Sequence, residues 1–292
     1  MNEATRWRLA LAERIGASYA SDQNAQVVMV AGSVARGSAD RYSDIEVDVF
    51  YAEPPSEVER IAAVERCGAT VELLAEDEDE WEEQMSIGGF HAHTSTFLVA
   101  TVERYLREVI DGCSVAPEPQ TRLFSLQHGI TLKGDDQVEQ WRAKAAAYPD
   151  GLRRAMLEEN LRFRRFGYAA EMLAARDDLL ALYEIFIETG RRLLGALLGL
   201  NRIYLPAPDY LKSMDETIGL MAIKPVDMSA RLKQSFRIEP TSAVGAHKEL
   251  IEETLELVET HVPGFDTAPY RVDLARRRTT YDTPPPGPSC GP

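Results

Sequence analysis

The stretch VVMVAGSVARGSADRYSDIEVDVFY, residues 27–51, narrows most what this chain can become. An apolar run ends at Gly32-Ser33, and a second run follows in which Asp44, Glu46 and Asp48 alternate with Ile45, Val47 and Val49. Side chains on a strand alternate faces, so the second run reads as a strand with three carboxylates on one face and β-branched apolar residues on the other. Carboxylates side by side raise one another's pKa, so a compensating cation is expected nearby. Gly-Ser at a strand end lets the backbone turn tightly and leaves N–H groups and a hydroxyl pointing outward, which is a cradle for phosphate. Asp44 and Glu46 on one face suit Mg²⁺, a hard cation that takes oxygen ligands and bridges nucleotide phosphates. Phosphoryl and nucleotidyl transfer need chiefly positioning and neutralisation of charge, and a phosphate-holding turn beside a metal-holding strand offers both.

Along the rest of the first half the pattern is α/β. Residues 3–20 have helical spacing, with Trp7, Leu11 and Ile15 on one stripe. Ser56 followed by Glu59 marks a helix start, and Gly68 its end. ATVELLA and FHAHTSTFLV read as strands, VATVERYLREVIDG as a helix closing at Gly112, and LFSLQHGITLKG, residues 123–134, as an extended segment. From about residue 136 nearly everything is helical. DLLALYEIFIETGRRLLGALLGLN is apolar on most faces and suits the central helix of a bundle. A helix is expected from Pro225 to Phe236, and another over 243–261. The tail TPPPGPSCGP lacks the means to pack. The fold class expected is therefore α+β: a small mixed sheet over residues 1–134, an all-helical bundle over 135–265, and a flexible tail over 266–292.

A net charge of −15 weighs against nucleic acid as a partner and is compatible with a cationic ligand. The densest acidic run, EDEDEWEE at residues 76–83, reads as an exposed loop or helix start, or else as a lip of acids that meets a cationic substrate. No apolar run is long enough to span a bilayer, and the N-terminus lacks a signal peptide's apolar core, so a cytoplasmic location is expected. Cys67, Cys113 and Cys290 have no metal-ligand spacing.

GSVARGSADRYSDIE resembles the pattern of the polymerase-β-like nucleotidyltransferase superfamily: Gly-Ser, a short spacer, then two acids separated by one residue. YSDIE at residues 42–46 is most similar to the antibiotic nucleotidyltransferases of the kanamycin type, whose layout of a mixed sheet followed by a helical domain is also similar. The resemblance implies Asp44 and Glu46 as catalytic metal ligands for Mg²⁺, with an NTP, ATP foremost, as co-substrate. It implies Gly32 and Ser33 as phosphate holders, with Arg36 and Arg41 as candidate cations for the triphosphate. Asp48 lies outside the required pair and reads as solvated or paired with a basic residue. A third acid is usual on a later strand, but that position falls on or near His93. The His91/His93 pair reads as a general base, a metal ligand or plain strand histidines, and Glu72 is an early candidate for a third acid. Kanamycin-type enzymes take a base from the helical domain, which points to Glu171, with Glu159, Asp177 and Asp178 as alternatives.

The function implied is transfer of a nucleoside monophosphate from an NTP onto a hydroxyl of a small cationic acceptor, such as an aminoglycoside or lincosamide-like compound, with no membrane partner. A homodimer is expected by analogy. The alternatives are a nucleotidyltransferase of toxin or antitoxin type that modifies a protein or tRNA, and a catalytically impaired nucleotide-binding homologue.

Overall fold

A computed structural model describes residues 1–77 and 80–281. The expected disordered tail from Thr283 on, Cys290 included, lies outside the described residues, as do two positions of the acidic run, 78 and 79. The chain divides into two compact units, Met1–Arg153 with Arg202–Pro208, and Arg154–Asn201 with Asp209–Pro292.

The first unit opens with α1 (Glu3–Ala20), capped by Asn2, whose side chain accepts from the Thr5 N–H at 2.7 Å. Strand β1 (Ala25–Val30) runs into α2 (Gly32–Ala35), a single helical turn, and β2 (Ile45–Tyr51) follows. Helix α3 (Glu57–Arg66) carries the expected capping box between Ser56 and Glu59. Then come β3 (Thr70–Asp77), β4 (Glu80–Ile87) and β5 (Phe90–Leu98). Helix α4 (Val99–Leu106) continues as one π-turn to Asp111 and ends at Gly112. Helix α5 (Pro117–His128), strand β6 (Ile130–Lys133) and α6 (Asp135–Ala145) complete the elements that lie wholly in this unit.

The six strands form one mixed sheet in the order β3-β4-β5-β2-β1-β6. Among the described residues only the β2–β5 pair is parallel. Helices α1 and α3 cover one face. There Ile15, Val28, Val30, Ile45, Val47, Val49 and Val64 form the core, and burying such side chains is worth about 1.5–3 kcal/mol each. That face also buries an ion pair, Glu83 with Arg60, and the hydroxyls of Thr94, Thr96 and Tyr19 surround the carboxylate. A buried carboxylate needs both a counter-charge and hydrogen-bond donors to be tolerated, and all are present.

Three expectations are corrected in this unit. Residues 117–128, part of which read as extended, form α5, because Pro117 sets the first helical turn and Gly129 ends it, leaving only Ile130–Lys133 extended. The acidic run is neither loop nor helix start over residues 80–87 but strand β4, with Trp81, Glu83, Met85 and Ile87 inward. The inward Glu83 hid that alternation. The boundary expected near residue 134 falls inside the first unit, since α6 packs on β1 and β6.

Helix α7 (Asp150–Asn160) carries the chain into the second unit, which holds α8 (Arg164–Ala175), α9 (Leu179–Leu200), α10 (Met214–Gly219), α11 (Met228–Ser235), α12 (Pro240–His261) and α13 (Ala268–Ala275). α9 is buried along most of its length, as its sequence implies, and packs with α8 and α12. The helix expected from Pro225 begins instead at Met228, because Asp227 sits in the left-handed region at φ 51°. Residues 268–275 are helical rather than part of a flexible tail. Gly167 admits this helix: a Cβ there would lie 2.7 Å from the Leu274 carbonyl oxygen.

Candidate active site

The sheet face opposite α1 and α3 is apolar at one end and polar at the other. Register lays it out in rows across β2, β5 and β4. Phe50, Phe97 and Glu80 share one row; Asp48, Ser95 and Glu82 the next; Glu46, His93 and Gln84 the third. Trp141 of α6 closes the apolar end, with ring centres 5.4 Å from Phe50. Asp44 lies just beyond the third row, at the entry to β2.

Local sequence explains how the polar end is held. The turn between Gly37 and Asp44 is closed by Asp40, which accepts from the Tyr42 N–H at 2.8 Å and the Ser43 hydroxyl at 3.2 Å. Asp is favoured at such turns because its side chain caps the backbone two residues on. Helix α1 pins this turn twice: Asn2 Nδ2 donates to the Ala39 carbonyl at 2.9 Å, and Arg8 Nε to the Ser43 carbonyl at 2.8 Å. The Ala31 N–H donates to the Glu46 carbonyl at 3.0 Å, so the end of β1 is tied to the acid-bearing strand.

Gly32 is the pivot of this end. Its φ is +62°, in the region where L side chains are strained, and a Cβ there would lie 2.6 Å from Glu46 Cδ. The backbone of the Gly-Ser turn thus rests against the Glu46 carboxylate, an approach open only to glycine. Burial raises the Glu46 pKa above the usual carboxylate value; His93 pulls it down, Asp44 and Asp48 push it up, and Arg36 opposes them. His93 Nδ1 is 3.8 Å from Asp44 Oδ2.

Of the residues expected at the site, Gly32, Asp44, Glu46 and His93 come together, Ser33 sits on the same turn, and Arg36 acts on Glu46 electrostatically. Arg41 stacks on the exposed Tyr42 ring, 4.6 Å from its centre. The histidine pair divides: His91 is bound to Glu72 at 2.8 Å, while His93 faces the acids. Glu171 stands in the second unit, on α8, where Arg277 Nε holds its Oε2 at 2.7 Å. The cation called for by the three alternating acids is Arg122 of α5, whose Nη1 reaches Asp48 Oδ1 at 3.3 Å while Ser125 donates to Asp48 Oδ2 at 2.7 Å.

Arg122, Ser125, Ser95, Glu82 and Gln84 were missed by sequence reasoning. Arg122 and Ser125 are spaced i, i+3 and would have shared a face had α5 been read as a helix. The β4 residues were legible only through an alternation that Glu83 obscures.

Among the described residues no group of three or more His, Cys, Asp or Glu side chains is disposed around one metal position. The acids fit Mg²⁺ nonetheless, because that ion keeps several waters and takes one or two carboxylates together with substrate phosphates. Asp44 and Glu46 could serve as such a pair.

The family model described as "Domain of unknown function (DUF4037)" matches residues 117–211, less than half of the chain. No curated protein matches at a significant level. Among solved structures, a nucleotidyltransferase-like protein from Exiguobacterium sibiricum 255-15 is similar at 12% identity, covering 89% of this chain and 77% of that one, with a TM-score of 0.40. That likeness is too distant to carry an argument. No helix among the described residues is long and apolar enough to cross a membrane.

Proposed function

We propose that this protein is a nucleotidyltransferase that moves a nucleoside monophosphate from an NTP onto a hydroxyl of a small cationic acceptor and releases pyrophosphate. One observation carries the reading: the left-handed Gly32 backbone lies directly on the Glu46 carboxylate, with Asp44 beside it. In that arrangement the Gly32-Ser33 turn takes the terminal phosphates through backbone N–H groups and the Ser33 hydroxyl. Arg36 adds positive charge at the end of the same turn. Asp44 and Glu46 hold Mg²⁺, which when bound supplies the charge that neutralises the phosphates.

A hydroxyl is a poor nucleophile at neutral pH, and a positioned base is worth about 100-fold or more. His93 is the candidate beside the acids. Its Nδ1 stands 3.8 Å from Asp44 Oδ2. Glu171 is the other candidate, on α8. The carboxylates of the polar face, with Glu82 half-buried two strands from Asp48, favour an acceptor bearing positive charge.

A second reading is nucleotide binding without transfer. It is favoured by His93 standing on the strand where the superfamily usually places an acid. One experiment separates the two. The protein is incubated with each NTP, Mg²⁺ and a panel of amino-sugar and lincosamide acceptors, and products are read by mass spectrometry. Transfer gives an acceptor heavier by one nucleoside monophosphate, absent in an Asp44→Asn/Glu46→Gln variant. Nucleotide binding by calorimetry with no adduct on any acceptor supports the second reading. An unchanged adduct from the double variant would overturn the site assignment.

A further inference from the structure

Asp44 at the entry to β2 and Glu46 and Asp48 on it alternate toward one face, yet only the first two are assigned to the metal. The third, Asp48, is disposed of by α5. Its side chain is 5% exposed and both carboxylate oxygens are engaged: Oδ1 by Arg122 Nη1 at 3.3 Å and Oδ2 by the Ser125 hydroxyl at 2.7 Å. Arg122 is itself fixed from other sides. Its Nη2 bonds Glu80 Oε1 at 3.1 Å, and its guanidinium lies 3.9 Å from the centre of the Phe97 ring. A planar guanidinium that forks between two carboxylates and stacks on a ring is held far more rigidly than an ammonium would be. On β5 the residues opposite Asp48 and Glu46 are Ser95 and His93, so neither row adds an acid there.

We infer that Arg122 is a positioning residue that withdraws Asp48 from the acidic face and so restricts this site to a single divalent cation. The inference rests on the proposed metal-dependent reading of Asp44 and Glu46. Two divalent cations in one site stand about 3.5–4 Å apart, and a further carboxylate oxygen beside Asp44 and Glu46 would help to hold the second. Asp48 lies two residues along the strand on the same face and is the acid that would supply it. With Arg122 on one oxygen and Ser125 on the other, it offers a cation no free oxygen. With Arg122 neutralised, Oδ1 is released.

Mn²⁺ is the probe, titrated into the full chain at physiological salt and followed by electron paramagnetic resonance, with and without a non-hydrolysable ATP analogue. Sites are counted as those lost in Glu46→Gln, which removes surface binding from the count. The wild type is expected to hold one such Mn²⁺. Arg122→Gln is expected to hold two, or one at least tenfold tighter. Asp48→Asn/Arg122→Gln is expected to return to one site at wild-type affinity, a rescue that a packing defect would not give. Asp48→Asn alone, which removes one of the two carboxylates that Arg122 pairs and leaves more of its positive charge beside the site, is expected to weaken Mn²⁺ at least tenfold, and it stands as the test if Arg122→Gln does not fold. Folded Arg122→Gln with wild-type Mn²⁺ binding, a double variant that keeps the extra site, or Asp48→Asn with unaltered affinity would overturn the role of Arg122 alone. A wild type that holds no Mn²⁺ removable by Glu46→Gln would overturn the metal reading of the site together with it.

Discussion

Replacing Gly32 by alanine tests the site with a single methyl group, and the fold supplies its control. Gly32 and Gly37 both sit in the left-handed region, at φ +62° and +76°. Alanine at either position therefore carries the same backbone penalty, about 1–2 kcal/mol, which in a chain of this size lowers the melting temperature by about 2–4 °C per kcal/mol. The surroundings differ. A Cβ on Gly37 meets nothing within 4 Å, whereas one on Gly32 lies 2.6 Å from Glu46 Cδ and 3.2 Å from its Oε1. Ordinary contact begins near 3.4 Å, so the carboxylate must retreat by close to 1 Å, a displacement that costs on the order of 100-fold in a positioned site. Both variants should melt at similarly lowered temperatures. Calorimetry should show MgATP affinity near wild type for Gly37→Ala and at least tenfold weaker for Gly32→Ala, about 1.4 kcal/mol. Equal affinities in two equally folded variants would mean that the Gly32–Glu46 contact is no part of a nucleotide site.

Stability should also report on the second unit through pH. His247 is fully buried, stacked 4.1 Å from the Phe186 ring centre, with Nε2 unpartnered. Burial lowers its pKa from 6.5 to about 4. The unfolded chain takes up a proton there before the folded one does, so the stability is complete above pH 6.5 and is lost as pH falls toward 4. The loss is about 2 kcal/mol by pH 5 and about 3 kcal/mol by pH 4. Urea unfolding should show that added slope in the wild type and its absence in His247→Phe; identical slopes would refute the assignment. For the base, His93→Ala and Glu171→Gln should separate in single-turnover kinetics. The variant that removes the base should slow the chemical step about 100-fold with nucleotide affinity nearly unchanged, and two wild-type rates would exclude both residues.

Much of this architecture was legible because short-range rules write it. Two periodicities, the Ser56–Glu59 capping box and the Gly-Ser turn between strands act over a few residues, so composition and spacing expose them. The apolar face of β2 and the acids opposite could be read for the same reason, since alternation follows from the pleat alone. What lay beyond reach depends on register and on distant segments. No local pattern says that β5 pairs with β2 in parallel and so sets His93 beside Glu46, or that a bulge in β3 at Glu72 accompanies the capture of His91. Strand β4 was hidden because its inward Glu83 is tolerated through Arg60, Tyr19, Thr94 and Thr96, which come from other elements. The alternating acids in the sequence demanded a cation, but only the packing of α5 on the sheet decided that it is Arg122, more than seventy residues away. By itself the sequence determined which groups the face must carry. The tertiary structure decided which of them remain free, because neutralising a buried charge depends on distances of a few ångströms that no spacing along the chain encodes.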